Sequence, residues 1–423
     1  MSRLNCGLLL VVLFLLVCAS QARAEFTLTK GVTLRQEYND NVNLDADDEE
    51  DDFITIITPH IGLTWSVRDI DVSLNLSLDI KEYWNNTEDD TIDANADEAS
   101  TLDSTFDLYQ GIVFLRIADT FSRVTIDEGG KGGEGNNVTN QTNSNRLIVN
   151  PYLLYAPAST LRFKLGYSYE NQWYQDDDGD DAEEHVYNLV ITKDLTERVT
   201  ATLSGSHRQY RPKDVAETVL LGEEGNYEYD EDTVRFGLTY LVTEKLSVAG
   251  GYGHSWLDYD VREDSDSDIW DASAVYEISS TLSTGIAYQL SYTVSVEDGP
   301  SESGRLTAYL AYADRNQVRL TLFSTSEDYV EIDRDNDSWG GDLGGTIPFG
   351  DRTGLTWGVR YTTYDETGIE AEEYDRYGAR LALYYDISMG RLSTGWTGTR
   401  NQSDLDDEDY TNNIVYLQAN LNF

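Results

Sequence analysis

The sequence has few of the residues that form disulfide bonds or bind metal ions. Of its 423 residues, two are cysteines, Cys6 and Cys18, and four are histidines. Both cysteines precede residue 25, so the remainder of the chain can form neither an internal disulfide nor a thiolate metal site. No stretch after residue 24 approaches the roughly 18 consecutive apolar residues of a membrane-spanning helix. If this part of the chain lies in a membrane, it must cross it as strands.

Basic residues are also scarce. The chain has 30 Lys and Arg against 77 Asp and Glu, a formal net charge of −47 at pH 7. Because nucleic-acid binding depends on Lys and Arg that neutralise phosphates, we expect no nucleic-acid partner. Proline is rare, with 6 residues, whereas tyrosine is abundant, with 29. This balance favours strands joined by polar turns.

The first 24 residues have the organisation of a secretory signal peptide. Arg3 supplies a positive start, residues 7–17 are apolar, and Ala22-Arg23-Ala24 has the small-x-small pattern of a cleavage site. The apolar part is too short for a spanning helix of about 20 residues. We therefore predict a signal peptide over residues 1–24 and export by the Sec route. A lipoprotein signal that uses Cys18 is the less favoured alternative.

Beyond residue 24, apolar and polar residues alternate in one segment after another. From Leu282 to Val294, the even positions carry Leu, Thr, Ile, Tyr, Leu, Tyr and Val, and the odd positions carry Ser, Gly, Ala, Gln, Ser and Thr. A period of two is typical of a strand with one apolar and one polar face. Twenty such segments lie at 26–38, 53–67, 71–84, 99–108, 112–125, 145–155, 160–174, 185–193, 198–210, 228–242, 245–257, 267–277, 282–295, 304–313, 317–329, 337–347, 353–365, 373–385, 391–401 and 409–423.

The connections between these segments alternate in length. Short turns such as 68–70 and 314–316 alternate with longer acidic loops such as 39–52, 85–98 and 126–144. Short turns at one end and long loops at the other are typical of bacterial outer-membrane barrels, whose closure leaves no backbone group unpaired in lipid. We predict an all-β fold, a single transmembrane antiparallel up-and-down β-barrel of about 20 strands (range 16–22), formed by residues 25–423 without a separate plug or periplasmic domain.

Aromatic residues gather at both ends of the predicted strands, where a barrel has its interfacial girdles. Toward the long loops lie Tyr38, Trp84, Trp173, Tyr210, Trp256, Tyr329 and Tyr364. Toward the short turns lie Trp65, Tyr155, Tyr240, Tyr276, Tyr312 and Tyr385. A secreted acidic β-sandwich, solenoid or adhesin, whose apolar strand faces would pack inward, is the alternative. The girdles and the loop asymmetry favour the barrel.

The C-terminal segment carries a further signal. Its apolar positions, Leu417, Ala419 and Leu421, alternate with polar ones and end on Phe423. This pattern resembles the terminal signal that Gram-negative outer-membrane proteins present to the barrel assembly machinery. We therefore expect that machinery as a partner and the Gram-negative outer membrane as the location.

Two short stretches near the start resemble a particular family. Residues 37–42 read Glu-Tyr-Asn-Asp-Asn-Val, and residues 54–63 read Ile-Thr-Ile-Ile-Thr-Pro-His-Ile-Gly-Leu. They resemble the putative β-barrel porin 2 family of Gram-negative outer-membrane proteins, whose first strand typically ends in Tyr-Asn-Asp-Asn and whose second contains Pro-Gly. Here two residues separate Pro59 from Gly62. The resemblance covers about 30 residues of the chain, and it implies a barrel of a kind that sometimes accompanies exopolysaccharide biosynthesis loci.

Catalytic and metal-binding patterns are weak. The four histidines are far apart in sequence, and no Gly-x-Ser-x-Gly motif occurs. His254 and Ser255 are adjacent, so in a strand they point to opposite faces. We predict no enzyme, no cofactor and no specific metal site. Diffuse binding of divalent cations, which prefer oxygen ligands, is one interpretation of acidic loop residues such as Asp176, Asp178 and Asp180. The other is that these loops resist aggregation and repel anions.

The sparse cations are the most informative polar residues. Twelve fall on the polar face of the predicted strands: Arg35, Arg116, Arg146, Arg162, Lys164, Arg208, Arg235, Arg305, Arg319, Arg360, Arg376 and Arg380. A basic residue facing lipid costs about 2–4 kcal/mol at mid-membrane, so the barrel itself favours this partition. One interpretation is ion pairing with inward acids such as Asp79 and Glu170, which stiffens the wall. The other is a basic ladder in the lumen that attracts anionic solutes or sugar chains.

The sequence thus predicts a porin-like outer-membrane channel for the passive passage of a hydrophilic solute. The specific hypothesis is an anionic saccharide or exopolysaccharide-related cargo. The alternative is a structural or adhesive surface barrel with functional acidic loops, whose lumen is closed by folded-in segments such as 126–144. Outer-membrane lipid, lipopolysaccharide and exopolysaccharide export components are the remaining expected partners.

Overall fold

A computed structural model describes most of the chain after residue 24. The described ranges are 25–87, 90–126, 131–132, 140–175, 181–213, 228–260, 264–294, 300–329, 334–368, 371–405 and 408–423. Residues 1–24, together with Asp176, Asp178 and Asp180, lie outside them, so the predictions made for these residues stay predictions. Within the described ranges, no helix has the length and apolar character needed to cross a membrane.

The alternating segments form strands. They are β1 (Glu25–Asn39), β2 (Asp52–Val67), β3 (Ile70–Tyr83), β4 (Thr91–Ala94), β5 (Ser100–Tyr109), β6 (Val113–Thr125), β7 (Gln141–Ala158), β8 (Leu161–Tyr174), β9 (Ala182–Asp194), β10 (Val199–Pro212), β11 (Tyr229–Leu241), β12 (Leu246–Tyr259), β13 (Ser265–Glu277), β14 (Leu282–Val294), β15 (Pro300–Ala313), β16 (Gln317–Tyr329), β17 (Arg334–Pro348), β18 (Thr353–Gly368), β19 (Glu373–Ile387), β20 (Gly390–Ser403) and β21 (Tyr410–Asn422).

The strands close into a ring. Successive strands pair antiparallel, and the last strand pairs with the first: Gly31 of β1 lies opposite Asn422 of β21, and Asn39 lies opposite Ile414. Closure removes the unpaired sheet edges, which is the condition for strands to cross lipid. The predicted all-β closed antiparallel barrel of 20 strands is confirmed.

One predicted loop was assigned wrongly. Segment 85–98 contains the short strand β4, which pairs with the same edge of β3 as β5 does. The two strands share one position in the wall, separated by residues 95–99, so 21 strands make a 20-stranded barrel. A four-residue strand spans only two periods, with Ile92 outward and Asp93 inward, which is too short a pattern to predict a strand.

Residues that pair across neighbouring strands point to the same side of the wall, so the alternation of inward and outward side chains continues around the whole ring. The outward face bears exposed apolar side chains such as Leu28, Ile61 and Leu417, the last 64% exposed. The inward face bears buried polar side chains such as Glu37 and Asn412. A water-soluble sandwich would bury its apolar stripes, so this arrangement argues against the soluble alternative and suits a barrel wall that faces lipid.

The aromatic girdles agree with the prediction in part. The six residues expected at the short turns all occupy outward positions, as Tyr240 and Tyr385 illustrate, although Trp65 is buried. At the other end, Tyr210, Tyr329 and Tyr364 face the lumen instead. Their assignment to the outer girdle is wrong because they occupy the polar parity of their strands. Inside the barrel, Tyr210 stacks on Tyr229 and Tyr364 stacks on Tyr374.

Candidate functional site

The lumen wall is the candidate site. The cross-strand register puts all twelve cations singled out from the sequence on the inward face. They do not form one uniform ladder, because their partners divide them into two regions. We call Arg116, Arg146, Arg162, Arg208 and Arg235 with their carboxylates the paired wall. We call Arg305, Arg319, Arg360, Arg376 and Arg380 with Tyr309 and Phe323 the basic-aromatic wall.

In the paired wall, each guanidinium contacts a carboxylate on another strand. This is a neighbouring strand in every case except Arg235 of β11, whose partner Asp271 lies on β13. Arg116 Nε donates to Asp103 Oδ1 at 3.1 Å, and its Nη2 donates to Oδ2 of the same carboxylate. Arg208 lies between two acids, with Nε 2.9 Å from Glu184 Oε2 and Nη1 3.6 Å from Glu231 Oε2. The remaining pairs are Arg146 with Glu170, Arg162 with Asp194, and Arg235 with Asp271. These arginines are neutralised within the protein.

Two cations lie apart from this scheme. Arg35 on β1 is paired, with Nε 2.6 Å from Glu37 Oε2, and its guanidinium lies 4.2 Å from the ring centre of Tyr416. Lys164 on β8 has its Nζ 4.7 Å from the ring centre of Tyr152. In the described part of the chain, Lys164 has no carboxylate partner.

In the basic-aromatic wall, arginines lie on aromatic rings. Arg319 Cζ is 4.3 Å from the ring centre of Tyr309. Arg305 Cζ and Arg360 Cζ are 6.0 and 5.8 Å from the ring centre of Phe323. Among the residues that the structure describes, none of these three arginines forms an ion pair with a carboxylate. All three are exposed toward the lumen.

The other two arginines of this wall have fuller surroundings. Arg376 Cζ lies 5.1 Å from the ring centre of Tyr374 and 5.5 Å from that of Tyr364, and its Nε donates to Asn401 Oδ1 at 3.2 Å. Arg380 is exposed on the same strand, two inward positions further toward the short turns. The wall therefore carries five guanidinium groups on strands β15 to β19.

Glycines on the inward face leave space for the ring of Phe323 and the guanidinium of Arg380. A Cβ built at Gly340 would lie 3.0 Å from Phe323 Cζ, and one at Gly358 would lie 2.8 Å from Arg380 Nε. Gly344 and Gly358 are cross-strand partners, with Arg319 opposite the first and Arg380 opposite the second. Side chains on either side of this glycine pair can therefore lie flat against the backbone.

A buried charged network, which no sequence pattern predicts, lies near the long loops. Asp93 of β4 accepts contacts from Lys81 Nζ and Arg123 Nη1, both at 3.1 Å. Asn143 Nδ2 donates to the same carboxylate at 3.1 Å, and its Oδ1 accepts from the backbone N–H of Ala94 at 2.9 Å. The side chains of Lys81 and Asp93 are 3% and 5% exposed. The network therefore joins the β6–β7 hairpin to β3 and β4.

Loop 39–52, predicted as a long acidic loop, is partly buried. Asn41, Val42 and Leu44 are fully buried, and Val42 packs with Ile54 and other inward-facing side chains of β2 and β3. Asn41 Nδ2 donates to the backbone carbonyl of Asp45 at 2.7 Å. The segment is acidic overall, but Val42 and Leu44 near its start are apolar and fold into the mouth of the barrel.

Segment 126–144 also makes contacts across the mouth. The Tyr410 hydroxyl on β21 donates to the carbonyl of Gly132 at 2.7 Å, and Lys131 Nζ lies 3.6 Å from Glu408 Oε2. At the base of the same segment, Thr142 and Asn143 of β7 are buried. The described part of this segment therefore reaches from β6 and β7 to a strand on the other side of β1.

The histidines and acids of the described residues do not gather into a metal site. The described residues contain no group of three His, Cys, Asp or Glu that could hold a metal ion. His254 Nδ1 lies 2.8 Å from Asp268 Oδ1 on the outward face, whereas Ser255 points inward and bonds with Glu231. His254 and Ser255 therefore cannot act on one another.

The residues of the proposed assembly signal line the outward face of the last strand. Leu417 and Phe423 are 64% and 62% exposed, and Ala419 and Leu421 share their parity. The backbone N–H of Phe423 donates to the carbonyl of Lys30 at 2.9 Å, which extends the seam with β1. Their role in assembly stays a prediction.

Comparisons with known proteins bear on the fold. No protein-family model matches the chain, and no curated protein matches it. Solved structures do: the apoprotein form of the FrpB iron transporter from Neisseria meningitidis (F5-1 variant) has a TM-score of 0.52 at 10% identity, covering 93% of this chain and 81% of that one. A mutant of the ferric enterobactin receptor from Pseudomonas aeruginosa has a TM-score of 0.50 at 9% identity, covering 96% and 81%. At such identity the likeness shows the fold alone.

Proposed function

We propose that this chain is a Gram-negative outer-membrane channel through which a hydrophilic solute passes passively. The observation that carries the proposal is a closed 20-stranded ring with an apolar outward face and a polar, charged inward face. Barrels of about 16 strands or more enclose a lumen wide enough for water unless a further segment fills it. The large barrels that it resembles in fold include one described as an iron transporter, which supports a transport role.

The cargo that we propose is an anionic saccharide, including exopolysaccharide-related chains. The inward arginines support it, because a barrel with acidic loops concentrates its scarce positive charge in the lumen. The resemblance to the putative β-barrel porin 2 family supports a link to exopolysaccharide export components. Export through a signal peptide, insertion by the barrel assembly machinery and contact with lipopolysaccharide complete the proposal.

Planar-bilayer recording tests the channel directly. Detergent-purified, folded protein added to one side of the bilayer is expected to give discrete, reproducible current steps. Protein unfolded by heating and added at the same concentration is the control, since it should give none. A folded protein that inserts into the bilayer without carrying current would contradict the proposal.

A structural or adhesive surface barrel with a closed lumen is the second candidate. It is favoured by the buried start of loop 39–52 and by the contacts of Lys131 and Gly132 with Glu408 and with Tyr410 of β21. Replacing Tyr410 by Phe removes the hydroxyl that bonds with Gly132. If these contacts narrow a channel, Tyr410→Phe should raise the single-channel conductance. If they seal the barrel, both proteins should carry no current.

The assembly signal has its own test. Deleting Phe423 removes the terminal aromatic residue and one seam hydrogen bond, so we expect little folded protein in the outer membrane. Replacing the inward-facing neighbour, Asn422→Ala, changes the same end of the strand but leaves the outward row intact. Outer-membrane yield, measured by the heat-dependent gel shift of folded barrels, compares the two. Equal yields would contradict the role assigned to Phe423.

A further inference from the structure

We propose that the basic-aromatic wall binds a solute that carries two or more carboxylates along an extended backbone. The inference deepens the proposed function, on which it rests, by naming the chemical class and the residues that recognise it. It concerns Arg305, Arg319 and Arg360 in the first place. Arg380 and the rings of Tyr309 and Phe323 complete the site.

The first support is the pairing of the cations. With 77 acidic against 30 basic residues, an arginine in this chain has many possible carboxylate partners. Those of the paired wall use them, as Arg116 with Asp103 and Arg208 with Glu184 illustrate. Arg305, Arg319 and Arg360 form no such pair with any described residue. Their positive charge is available to a solute.

The second support is the geometry of the guanidinium groups. A guanidinium on an aromatic face is held by the ring, while the N–H groups along its edge stay free to donate. Arg319 lies on Tyr309 in this way, and its Nε uses one donor on Thr321 Oγ1 at 3.3 Å. Its two terminal nitrogens remain, and a carboxylate binds such a pair in bidentate fashion.

The third support is the absence of local compensation. Asp342 is the one inward carboxylate in the central part of the wall, and it faces Arg360 across the β17–β18 ladder without forming an ion pair with it. Glu366 lies toward the long loops and is paired with Arg334 at 2.9 Å. Within the described residues, the wall therefore keeps a net positive charge, in contrast to the chain as a whole.

The spacing of the arginines selects an extended ligand. Arg305 and Arg360 approach the ring of Phe323 from β15 and β18, and Arg380 follows on β19. With neighbouring strands about 4.8 Å apart, the wall from β15 to β19 spans roughly 19 Å. This is about the length of a short oligosaccharide, so successive acid groups of one chain can meet successive arginines. Several such contacts bind more tightly than one, because the later ones are intramolecular.

Calorimetric titration of the full-length protein in detergent tests the inference. The probe is trigalacturonate, which has three sugars and three carboxylates. We expect it to bind, and to bind at least about tenfold more tightly than galacturonate, which has a single carboxylate. Neutral maltotriose has the same number of sugars and should not bind. Failure of trigalacturonate to bind, or equal binding of maltotriose, would overturn the inference.

A pair of double variants locates the site. Arg319→Ala with Arg360→Ala should weaken trigalacturonate binding by about tenfold or more, because two bidentate contacts are lost. Arg146→Ala with Arg162→Ala removes the same charge from the paired wall and should leave affinity within about threefold, since those arginines are neutralised by Glu170 and Asp194. An equal loss of affinity in both double variants would show that only the overall charge matters. It would contradict the assignment of the binding site to the basic-aromatic wall.

A conservative variant guards against misfolding. Arg319→Lys with Arg360→Lys keeps both charges but loses the planar fork, so affinity should fall between wild type and the alanine variant. Lysine variants that bind as weakly as the alanine variant would support bidentate recognition by the guanidinium groups. Lysine variants that bind as tightly as wild type would contradict it. Because titration in detergent needs no open channel, binding without bilayer current would contradict the proposed function and leave this inference standing.

Discussion

The two walls of the lumen contain equal numbers of the arginines that the sequence singled out, but they use them differently. In the paired wall, the guanidinium of Arg116 or Arg208 meets a carboxylate on the next strand. In the basic-aromatic wall, Arg319 and Arg360 lie on rings and remain exposed. One barrel thus has a region where the arginines are paired with carboxylates and a region where Arg319 and Arg360 are not. The inward face cannot be treated as a uniform surface.

The cause of the difference lies in the neighbours that the register supplies. Beside Arg208, the inward positions of the flanking strands are occupied by Glu184 and Glu231. Between Arg319 and Arg380, they are occupied by Gly344 and Gly358. At these two places, the carboxylates form ion pairs with Arg208, whereas Gly358 leaves a flat backbone against which Arg380 lies. The choice between the two is local to each pair of strands.

Breaking the buried network gives the largest expected effect. Asp93→Ala leaves Lys81 and Arg123 buried without their shared carboxylate, and loss of one partner of a buried pair typically costs about 3–5 kcal/mol. We expect a clear fall in the unfolding temperature of the detergent-solubilised barrel, followed by the heat-dependent gel shift.

The matched variant for Asp93→Ala is Asp103→Ala, which breaks the ion pair with Arg116. Those two side chains are 46% and 44% exposed, so water replaces the lost partner and the cost should stay below about 1 kcal/mol. If the two variants shifted the unfolding temperature equally, burial would not be what distinguishes the network from the rest of the paired wall.

The barrel could be predicted from the sequence because the alternation of apolar and polar residues survives in nearly every strand. That alternation assigns each side chain to a face, and it puts Arg319 and Tyr210 on the polar one. It does not give the register between strands, which decides whether an arginine meets an acid or a glycine. For the same reason, the network around Asp93 was invisible, since Arg123 and Asn143 come from distant parts of the chain.

One signal of the basic-aromatic wall was present and was overlooked. Phe323 occupies the polar parity of β16, between Thr321 and Thr325, where a lipid-facing role is excluded. An aromatic residue at a polar position of the strand predicts that its ring contacts another side chain inside the barrel. The buried start of loop 39–52 was missed for a different reason, because its eight acidic residues dominate the composition and conceal Val42 and Leu44.

Variants of the two walls should differ in ion selectivity, and we expect this effect to be smaller than that of Asp93→Ala on stability. In a salt gradient across a planar bilayer, Arg319→Ala with Arg360→Ala should move the reversal potential toward cation preference, because exposed charges act on permeating ions. Arg146→Ala with Arg162→Ala should move it less, although Glu170 and Asp194 are then released. A larger shift from the second pair would mean that the paired wall controls permeation, which reverses the comparison.

The smallest expected effect concerns one methyl group. Gly205→Ala on β10 meets its nearest atom, the carbonyl oxygen of Thr233, at 3.8 Å, so the added methyl fits. A glycine-to-alanine change that fits stabilises by about 0.4–1 kcal/mol, because the unfolded chain loses freedom. Gly358→Ala meets Arg380 Nε at 2.8 Å and must displace the guanidinium, so the same change should bring no gain. Unfolding temperatures of the two variants give the comparison, and an equal rise in both would mean that Arg380 does not lie against the wall at Gly358.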